Sequence, residues 1–217
     1  MKDRFYLACF RNNVGTSVGF QRQGFAGYHT DIDQAHVCTL EEAQSHYNHA
    51  REYDLPISAD HVDALAVWKV DCQYIPIESQ PFTEANVAYV RGAWDGNDVY
   101  WLNHKKCTTS TDFSKATIFD QDIAEQLDSK YIVIPFSLAE KVKRRTFNFK
   151  KLNRRVMVQG AGLVMPEYLK KARRRKTNPK SRFNCPGCGK ITWQYNPYDF
   201  EGCLDVSCSE WRPNYGE

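Results

Sequence analysis

Long apolar runs are missing from this chain of 217 residues. The first residues, MKDRFYLACFRNN, carry charges at positions 2, 3 and 4 and then only a short apolar run. Such a run is too short for the core of a signal peptide and far too short to span a bilayer. We therefore expect no membrane partner and a cytoplasmic location, where thiols stay reduced. Because 42% of the residues are hydrophobic, the chain can bury a core and is not a disordered tail.

Acidic residues are nearly absent from residues 141–182, which hold 16 Lys and Arg against one Asp or Glu. The flanking parts are acidic, with 11 bases against 20 acids in residues 1–140 and 2 against 5 in residues 183–217. A segment that repels itself so strongly favours a polyanionic partner, most often nucleic acid. The alternatives are a solvated linker, or a basic surface that pairs with the acidic N-terminal part.

Catalytic motifs are also missing. Glu42, His46 and His49 share one predicted helical face, but not in the order of the HExxH zinc motif. Gly160 and Gly162 lack a third glycine at the spacing of a nucleotide-binding loop. Buried thiols are the expected state of the four scattered cysteines, Cys9, Cys38, Cys72 and Cys107.

The N-terminal 160 residues contain one pattern twice. Residues 18–21 and 30–39 align without a gap on residues 99–102 and 111–120, at a shift of 81 positions. Each copy predicts strand, turn, strand, polar loop, short strand, helix and strand, so the expected class is α+β with two tandem β-β-α-β modules. The alternative is two similar β-rich segments with common turn residues. The predicted division is a first repeat over 1–80, a second repeat over 81–160, a basic helix and linker over 161–182, and a zinc ribbon over 183–217.

Helix starts are marked by capping residues. Thr39 and Glu42 predict a capping box that opens a helix to about Tyr53, and Asp120 predicts the cap of a shorter helix to about Leu127. A further Ser-x-x-Glu cap begins at residue 137. The remaining predicted elements are strands at 64–70, 131–136 and 155–159 and helices at 137–145 and 165–176.

Four of the eight cysteines lie close together near the C-terminal end. Cys185 and Cys188 flank a Pro-Gly turn, and Cys203 and Cys208 form a second pair after fourteen intervening residues. Four thiolates on two turns match the closed tetrahedral shell that zinc prefers, whereas a disulfide would leave the CxxC turn strained or redox-active. We therefore expect one structural Zn²⁺, whose binding folds a unit too small to fold alone. One arm of a small hairpin is predicted where Ile191, Trp193 and Tyr195 alternate with polar residues.

The run FNCPGCG…GCLDVSCSEW resembles the zinc finger of the Ogr/Delta family of bacteriophage late-transcription activators. That family also has a CxxC pair, an intervening loop and a C-x4-C pair, although its finger is N-terminal and its loop is longer. The resemblance covers about the last thirty residues and implies zinc binding by the four cysteines, a bias towards DNA, and host RNA polymerase as a partner. The phrases FYLACFRNNVG and GYHTDIDQAHVCTLEEA look like those of small uncharacterised bacteriophage proteins, which implies the cytoplasm of an infected host.

Two basic stretches are candidates for phosphate contacts. In residues 141–156, Phe147 and Phe149 alternate with cations, so bases could stack on the rings, although core packing at strand spacing fits them better. In residues 168–176 the cations cover nearly every face of a helix, which disfavours a membrane surface and leaves a charged tether as the alternative. The predicted nucleic-acid-binding residues are Arg144, Arg145, Lys150, Lys151, Arg154, Arg155, Lys170, Lys171, Arg173, Arg174, Arg175, Lys176 and Trp193.

These observations predict a nucleic-acid-binding accessory protein of a bacteriophage, with a structural zinc ribbon and a role in transcription, DNA being favoured over RNA. The second hypothesis is a protein-binding host-takeover or anti-defence factor that uses its acidic N-terminal body. The third is an enzyme with an unrecognised site in the repeats. That hypothesis requires a common cleft for His29, Asp31, His46 or Asp112.

Overall fold

The computed structural model describes residues 3–51, 53–174 and 180–212. Its contacts divide the chain into two compact units, which we call the body (Met1–Pro166) and the C-terminal unit (Glu167–Glu217). No helix among the described residues combines the length and the apolar surface that a membrane crossing requires. The four-part division predicted from the sequence stays a prediction.

The first half of the body is built around a five-stranded antiparallel sheet. Its elements are β1 (Phe5–Val14), β2 (Ser17–Gln21), β3 (Tyr28–His29), β4 (Val37–Cys38), α1 (Leu40–Asn48), β5 (Asp54–Ser58), α2 (Ala59–Leu65) and β6 (Val67–Lys69). The strand order is β3-β2-β1-β4, and β5 also pairs with β1. β6 lies outside this sheet.

The second half contains a four-stranded antiparallel sheet with the order β10-β7-β8-β9. Its elements are β7 (Asn86–Asp95), β8 (Asp98–Asn103), β9 (Thr108–Ser110), α3 (Gln121–Ala124), β10 (Tyr131–Pro135), α4 (Phe136–Val142) and β11 (Arg144–Thr146). The mixture of helices and antiparallel sheets confirms the predicted α+β class.

The two halves repeat the same order of elements. The series strand, helix, strand over 54–58, 59–65 and 67–69 recurs with identical lengths over 131–135, 136–142 and 144–146. Core positions recur as well, both on equivalent strands, where alternate residues face inward, and on the equivalent 3-10 turns at 32–34 and 113–115. The buried pairs at equivalent positions are Val18 and Val99, Phe20 and Trp101, Ile32 and Phe113, and Ile57 and Ile134.

The last segment of each half forms a backbone hydrogen bond with a strand of the other half. The N–H of Val18 donates to the carbonyl of Phe147 (2.9 Å), and at the equivalent place the N–H of Val99 donates to the carbonyl of Val70 (3.1 Å). In addition, β6 and β11 pair with each other in antiparallel register. The halves are therefore joined by the β6–β11 pair and by the residues that follow each of these two strands, and they do not simply lie side by side.

Several local predictions need correction. The capping box at Thr39 is confirmed, but α1 ends at Asn48, because His49 already leaves the helical conformation. The strand expected over 64–70 is limited to 67–69, and the preceding residues form α2. Asp120 does cap α3, which stops at Ala124. The Ser-x-x-Glu cap is wrong, since α4 begins at Phe136 without a side-chain cap.

Residues 155–159 form a π-helix, where a strand was predicted. The N–H of Gly160 donates to the carbonyl of Arg155 (2.8 Å), five residues earlier, as a π-helix requires. The side chain of Asn153 accepts from the N–H groups of Arg155 (3.1 Å) and Val156 (3.2 Å) and organises the first turn. The buried side chains Met157 and Val158 anchor this helix in the core.

The C-terminal unit contains α5 (Glu167–Arg174), β12 (Ser181–Asn184) and β13 (Ile191–Gln194). The two strands form an antiparallel hairpin in which Arg182 lies opposite Trp193 and Asn184 lies opposite Ile191. The predictions for Arg175 and Lys176 fall outside the described residues. The same holds for the side chains of Arg173 and Arg174.

Candidate metal centre and nucleic-acid interface

The four clustered cysteines bring their sulfur atoms together. All four Sγ atoms lie within 4.8 Å of one another, with 3.5 Å between those of Cys185 and Cys208 and 3.6 Å between those of Cys188 and Cys203. These distances exceed the roughly 2.05 Å of a disulfide bond, so the four thiols are free. A tetrahedral shell with Zn–S bonds of about 2.3 Å requires sulfurs about 3.8 Å apart. The four cysteines therefore form a group that can hold a metal ion.

The first pair sits on the turn that joins β12 to β13. The N–H of Cys185 donates to the carbonyl of Lys190 (2.9 Å), and the N–H of Gly189 donates back to the carbonyl of Cys185 (2.8 Å). Gly189 has a φ of +75°, which favours glycine. At Gly187 a Cβ atom would stand 3.0 Å from the Cys208 sulfur. Glycine at this position thus lets the two cysteine turns approach each other.

The second pair sits on an irregular loop closed by its own backbone. The N–H of Cys203 donates to the carbonyl of Glu210 (2.7 Å), and the carbonyl of Cys203 accepts from Arg212 (3.0 Å). The N–H of Asp205 points at the sulfur of Cys203 (3.4 Å), and the N–H of Glu210 points at that of Cys208 (3.4 Å). Such N–H groups favour the thiolate form that binds metals.

The four sulfurs influence one another's ionisation. Burial tends to raise the pKa of Cys185, but the N–H groups of Cys188 and Gly187 outweigh it and lower the pKa to about 7. The N–H of Glu210 lowers the pKa of Cys208, yet burial and the other three thiols outweigh this and raise the pKa to about 12. Four thiolates this close together repel one another unless a cation neutralises them, and such mutual coupling is expected of residues that can share a metal ion.

The β12–β13 hairpin buries the polar side of its second strand. Thr192 and Gln194 are buried, whereas Ile191, Trp193 and Tyr195 are 52%, 49% and 67% exposed. The hairpin prediction is therefore right, although the aromatic side faces solvent. The reason lies in Gln194, whose amide donates to the carbonyl of Asn196 (2.9 Å) and accepts from the N–H of Glu201 (2.8 Å). This side chain fastens the loop that leads to the second cysteine pair.

Two of the predicted nucleic-acid-binding arginines are engaged inside the body. Arg144 is only 8% exposed, and its Nη2 lies 2.6 Å from the Asp98 carboxylate. Its Nε donates to the hydroxyl of Thr30 at 3.2 Å. This burial contradicts the expectation that Arg144 contacts phosphate. Arg145 is half-buried and pairs with Asp33 (2.8 Å) and Asp63 (2.7 Å), so its charge is also matched within the chain.

The remaining predicted cations lie on the surface wherever their side chains are described. The exposed ones are Lys150, Lys151, Arg154, Arg155 and Lys171. Lys170, which is partly buried, pairs with Glu167 at 2.6 Å. Phe147 is fully buried and Phe149 is 38% exposed, which favours core packing for Phe147 over base stacking.

Two of the residues proposed for an enzymatic site, Asp31 and Asp112, have local structural roles. Asp31 accepts from the N–H of Asp33 (3.1 Å) and starts a 3-10 turn, and Asp112 does the same for Ser114 (3.1 Å) in the second half. His46 lines a cavity of about 360 Å³ in the first half. Within residues 3–51, 53–174 and 180–212, the four cysteines are the only His, Cys, Asp or Glu group placed to share a metal ion.

Comparison with known proteins assigns no family. No protein-family model, no curated protein and no solved structure matches this chain. The resemblance to the Ogr/Delta finger is therefore carried by the cysteine pattern alone.

Proposed function

We propose that this chain is a nucleic-acid-binding protein whose C-terminal unit is held together by one structural Zn²⁺. The proposal rests on a set of exposed cations. Arg144 and Arg145 form ion pairs with carboxylates of the body, whereas these cations do not in the part of the chain that the structure describes. Among the described residues, Lys150, Lys151 and Arg155 form no ion pair, and they belong to the segment with 16 bases and one acid. Phosphates are the counter-charges that such a surface attracts.

The zinc ion would be bound by Cys185, Cys188, Cys203 and Cys208. Four thiolates close the coordination shell, so the ion supplies folding free energy and not a catalytic site. The backbone N–H groups aimed at the sulfurs stabilise their charge. The role of the metal is then to hold the hairpin and the second cysteine loop in one geometry.

A finer proposal concerns the process served. The similarity of the cysteine pattern to the Ogr/Delta fingers supports DNA over RNA, and a part in transcription alongside host RNA polymerase. The same similarity, together with the N-terminal phrases, supports a bacteriophage origin and action in the host cytoplasm. These proposals rest on resemblance, and the cations of the chain are compatible with them.

The alternative of an acidic body that binds a basic protein receives less support. Many of its carboxylates already have cationic partners within the body. Asp98 contacts Lys69 and Arg144, and Asp63 contacts Arg4 and Arg145. Part of the acidic excess found by counting charges is therefore neutralised by ion pairs within the body and is not free to bind a partner.

Charge reversal in the full-length, zinc-loaded chain tests the proposal. Fluorescence anisotropy with labelled DNA would compare wild type with Lys150→Glu/Lys151→Glu. The matched control is Lys105→Glu/Lys106→Glu, a second exposed lysine pair on a 3-10 turn, which lies in the acidic half of the chain. We expect the first variant to lose about tenfold or more in affinity and the control to lose much less. Equal affinities in all three proteins, or no binding by wild type, would contradict the proposal.

A further inference from the structure

One face of the β12–β13 hairpin combines aromatic and basic side chains. Residues directly opposite each other in an antiparallel pair share a face, so Arg182 lies beside Trp193 and Asn184 beside Ile191. One residue beyond the paired register, the Nζ of Lys180 lies 4.9 Å from the ring centroid of Tyr195. We call these six residues the ribbon face: Lys180, Arg182, Asn184, Ile191, Trp193 and Tyr195.

The ribbon face is exposed to solvent, which is unusual for a face that carries aromatic side chains. A small domain normally buries its aromatic side chains and exposes its polar ones. Here the buried side of β13 carries Thr192 and Gln194, while Trp193 remains about half exposed. Neighbouring exposed apolar side chains of this size mark interaction sites more often than isolated ones do.

The charges and aromatic rings of the ribbon face indicate which class of ligand it can bind. It carries two cations and no acidic residue. Aromatic rings beside cations are the combination with which proteins hold single-stranded nucleic acid, because bases stack on the rings while phosphates meet the charges. A protein partner would need to match the same charges with carboxylates and would leave the stacking capacity of the rings unused.

The spacing of the rings favours unpaired bases. Trp193 lies on β13 and Tyr195 comes one residue after this strand ends, so two residues of nearly extended chain set their Cα atoms about 6.8 Å apart. Successive bases in duplex DNA are only about 3.4 Å apart along each strand. Two neighbouring bases can therefore occupy both rings only when they are unstacked from each other, as in a single strand.

We infer that the ribbon face binds single-stranded nucleic acid by stacking two bases on Trp193 and Tyr195, with Arg182 and Lys180 at the phosphates. This inference rests on the proposed function and specifies the strand state that it recognises. The metal-bound cysteines act only by holding the hairpin.

The test uses the full-length, zinc-loaded chain with a labelled 12-nucleotide oligothymidine and a labelled 12-base-pair duplex. The variant is Trp193→Ala, and the matched control is Trp94→Ala in β7, where the side chain is 47% exposed compared with 49% for Trp193. We expect Trp193→Ala to weaken single-strand binding by about 5- to 100-fold, with little change for the duplex. Trp193→Phe should recover most of the loss, and Trp94→Ala should bind like wild type.

Each outcome separates this inference from the proposed function. If Trp193→Ala retains its zinc and still binds the oligothymidine like wild type, the ribbon face is not the stacking site, although salt-sensitive binding would still support the proposed function. If the variant loses duplex and single-strand binding equally, the hairpin does not distinguish strand states and the inference fails. If wild type binds neither probe, the proposed function fails with it.

Discussion

Removing the buried Lys69 cation should strongly destabilise the body. The Lys69 side chain is 1% exposed, and its Nζ lies 3.1 Å from Asp98 and 3.3 Å from Asp95. It also donates to the hydroxyl of Ser17 at 3.0 Å. Asp98 is fully buried, and after Lys69→Met its charge would be matched by Arg144 alone.

The expected size of this effect follows from the burial of both partners. Removing one partner of a buried ion pair usually costs about 3–5 kcal/mol. Because Arg144 still contacts Asp98, we expect Lys69→Met to cost about 3 kcal/mol, at the lower end of that range. A domain has only about 5–15 kcal/mol of stability, so the loss is a large part of the total. Because Lys69 is on β6 and its two carboxylates come from the second half, the perturbation falls on the junction of the two halves.

Urea unfolding followed by tryptophan fluorescence measures the loss, since Trp101 is fully buried in the second half. The matched control is Lys130→Met, whose exposed ion pair with Asp128 (3.8 Å) should contribute no more than about 1 kcal/mol. The double variant Lys69→Met/Asp98→Asn should recover part of the loss. A Lys69→Met protein within 1 kcal/mol of wild type, at an unchanged m-value, would refute this reasoning.

Three further predictions concern the metal, pH and backbone strain. Cys208→Ser should reduce the bound zinc, measured by mass spectrometry, from one ion per chain to a small fraction, whereas Cys107→Ser should leave it unchanged; equal zinc content in both variants would exclude the proposed site. Burial raises the pKa of Asp95, but hydrogen bonds from Thr16 and Lys69 outweigh it and hold the pKa below its usual 3.8. The stability that this carboxylate contributes is therefore present above about pH 4 and lost as pH falls further, so urea unfolding between pH 5 and 3 should show a steeper loss for wild type than for Asp95→Asn; parallel curves would contradict this. Cys107 has a φ of +49°, so Cys107→Gly should raise the free energy of unfolding by about 0.5–1 kcal/mol while Cys107→Ala should not, and equal stabilities would argue against strain there.

Local chemistry made parts of this structure predictable. A capping residue satisfies a free N–H group next to it in the chain, so the caps at Thr39 and Asp120 were recognisable from the sequence. The cysteine pairs were recognisable for a similar reason, because the two members of each pair lie close together in the chain. The class of fold followed from the alternation of strand and helix signals in both halves.

Features that depend on distant contacts could not be predicted. β5 contains Pro56, which weakens the strand signal although the residue pairs with Leu7 of β1. The strand-like alternation of residues 155–159 is overridden by the side chain of Asn153. The sequence of β13 indicates two faces, but only the bonds made by Gln194 determine which one is buried.

Counting charges likewise could not show which cations would form ion pairs within the body. Arg144 and Lys150 lie in the same basic segment, and only the fold places Asp98 beside the first. The contact between the two halves could not be predicted either, because the pairing of β6 with β11 joins residues far apart in the chain. Such pairings carry no local sequence signal.

The salt dependence of binding tests the central claim most directly. For the zinc-loaded full-length chain, the logarithm of the binding constant for single-stranded DNA should fall linearly with the logarithm of the salt concentration. Contact with about six phosphates predicts a slope of about −4 for single strands, and about −5 for duplex DNA. A slope near zero, or no binding at low salt, would show that these cations do not serve to bind nucleic acid.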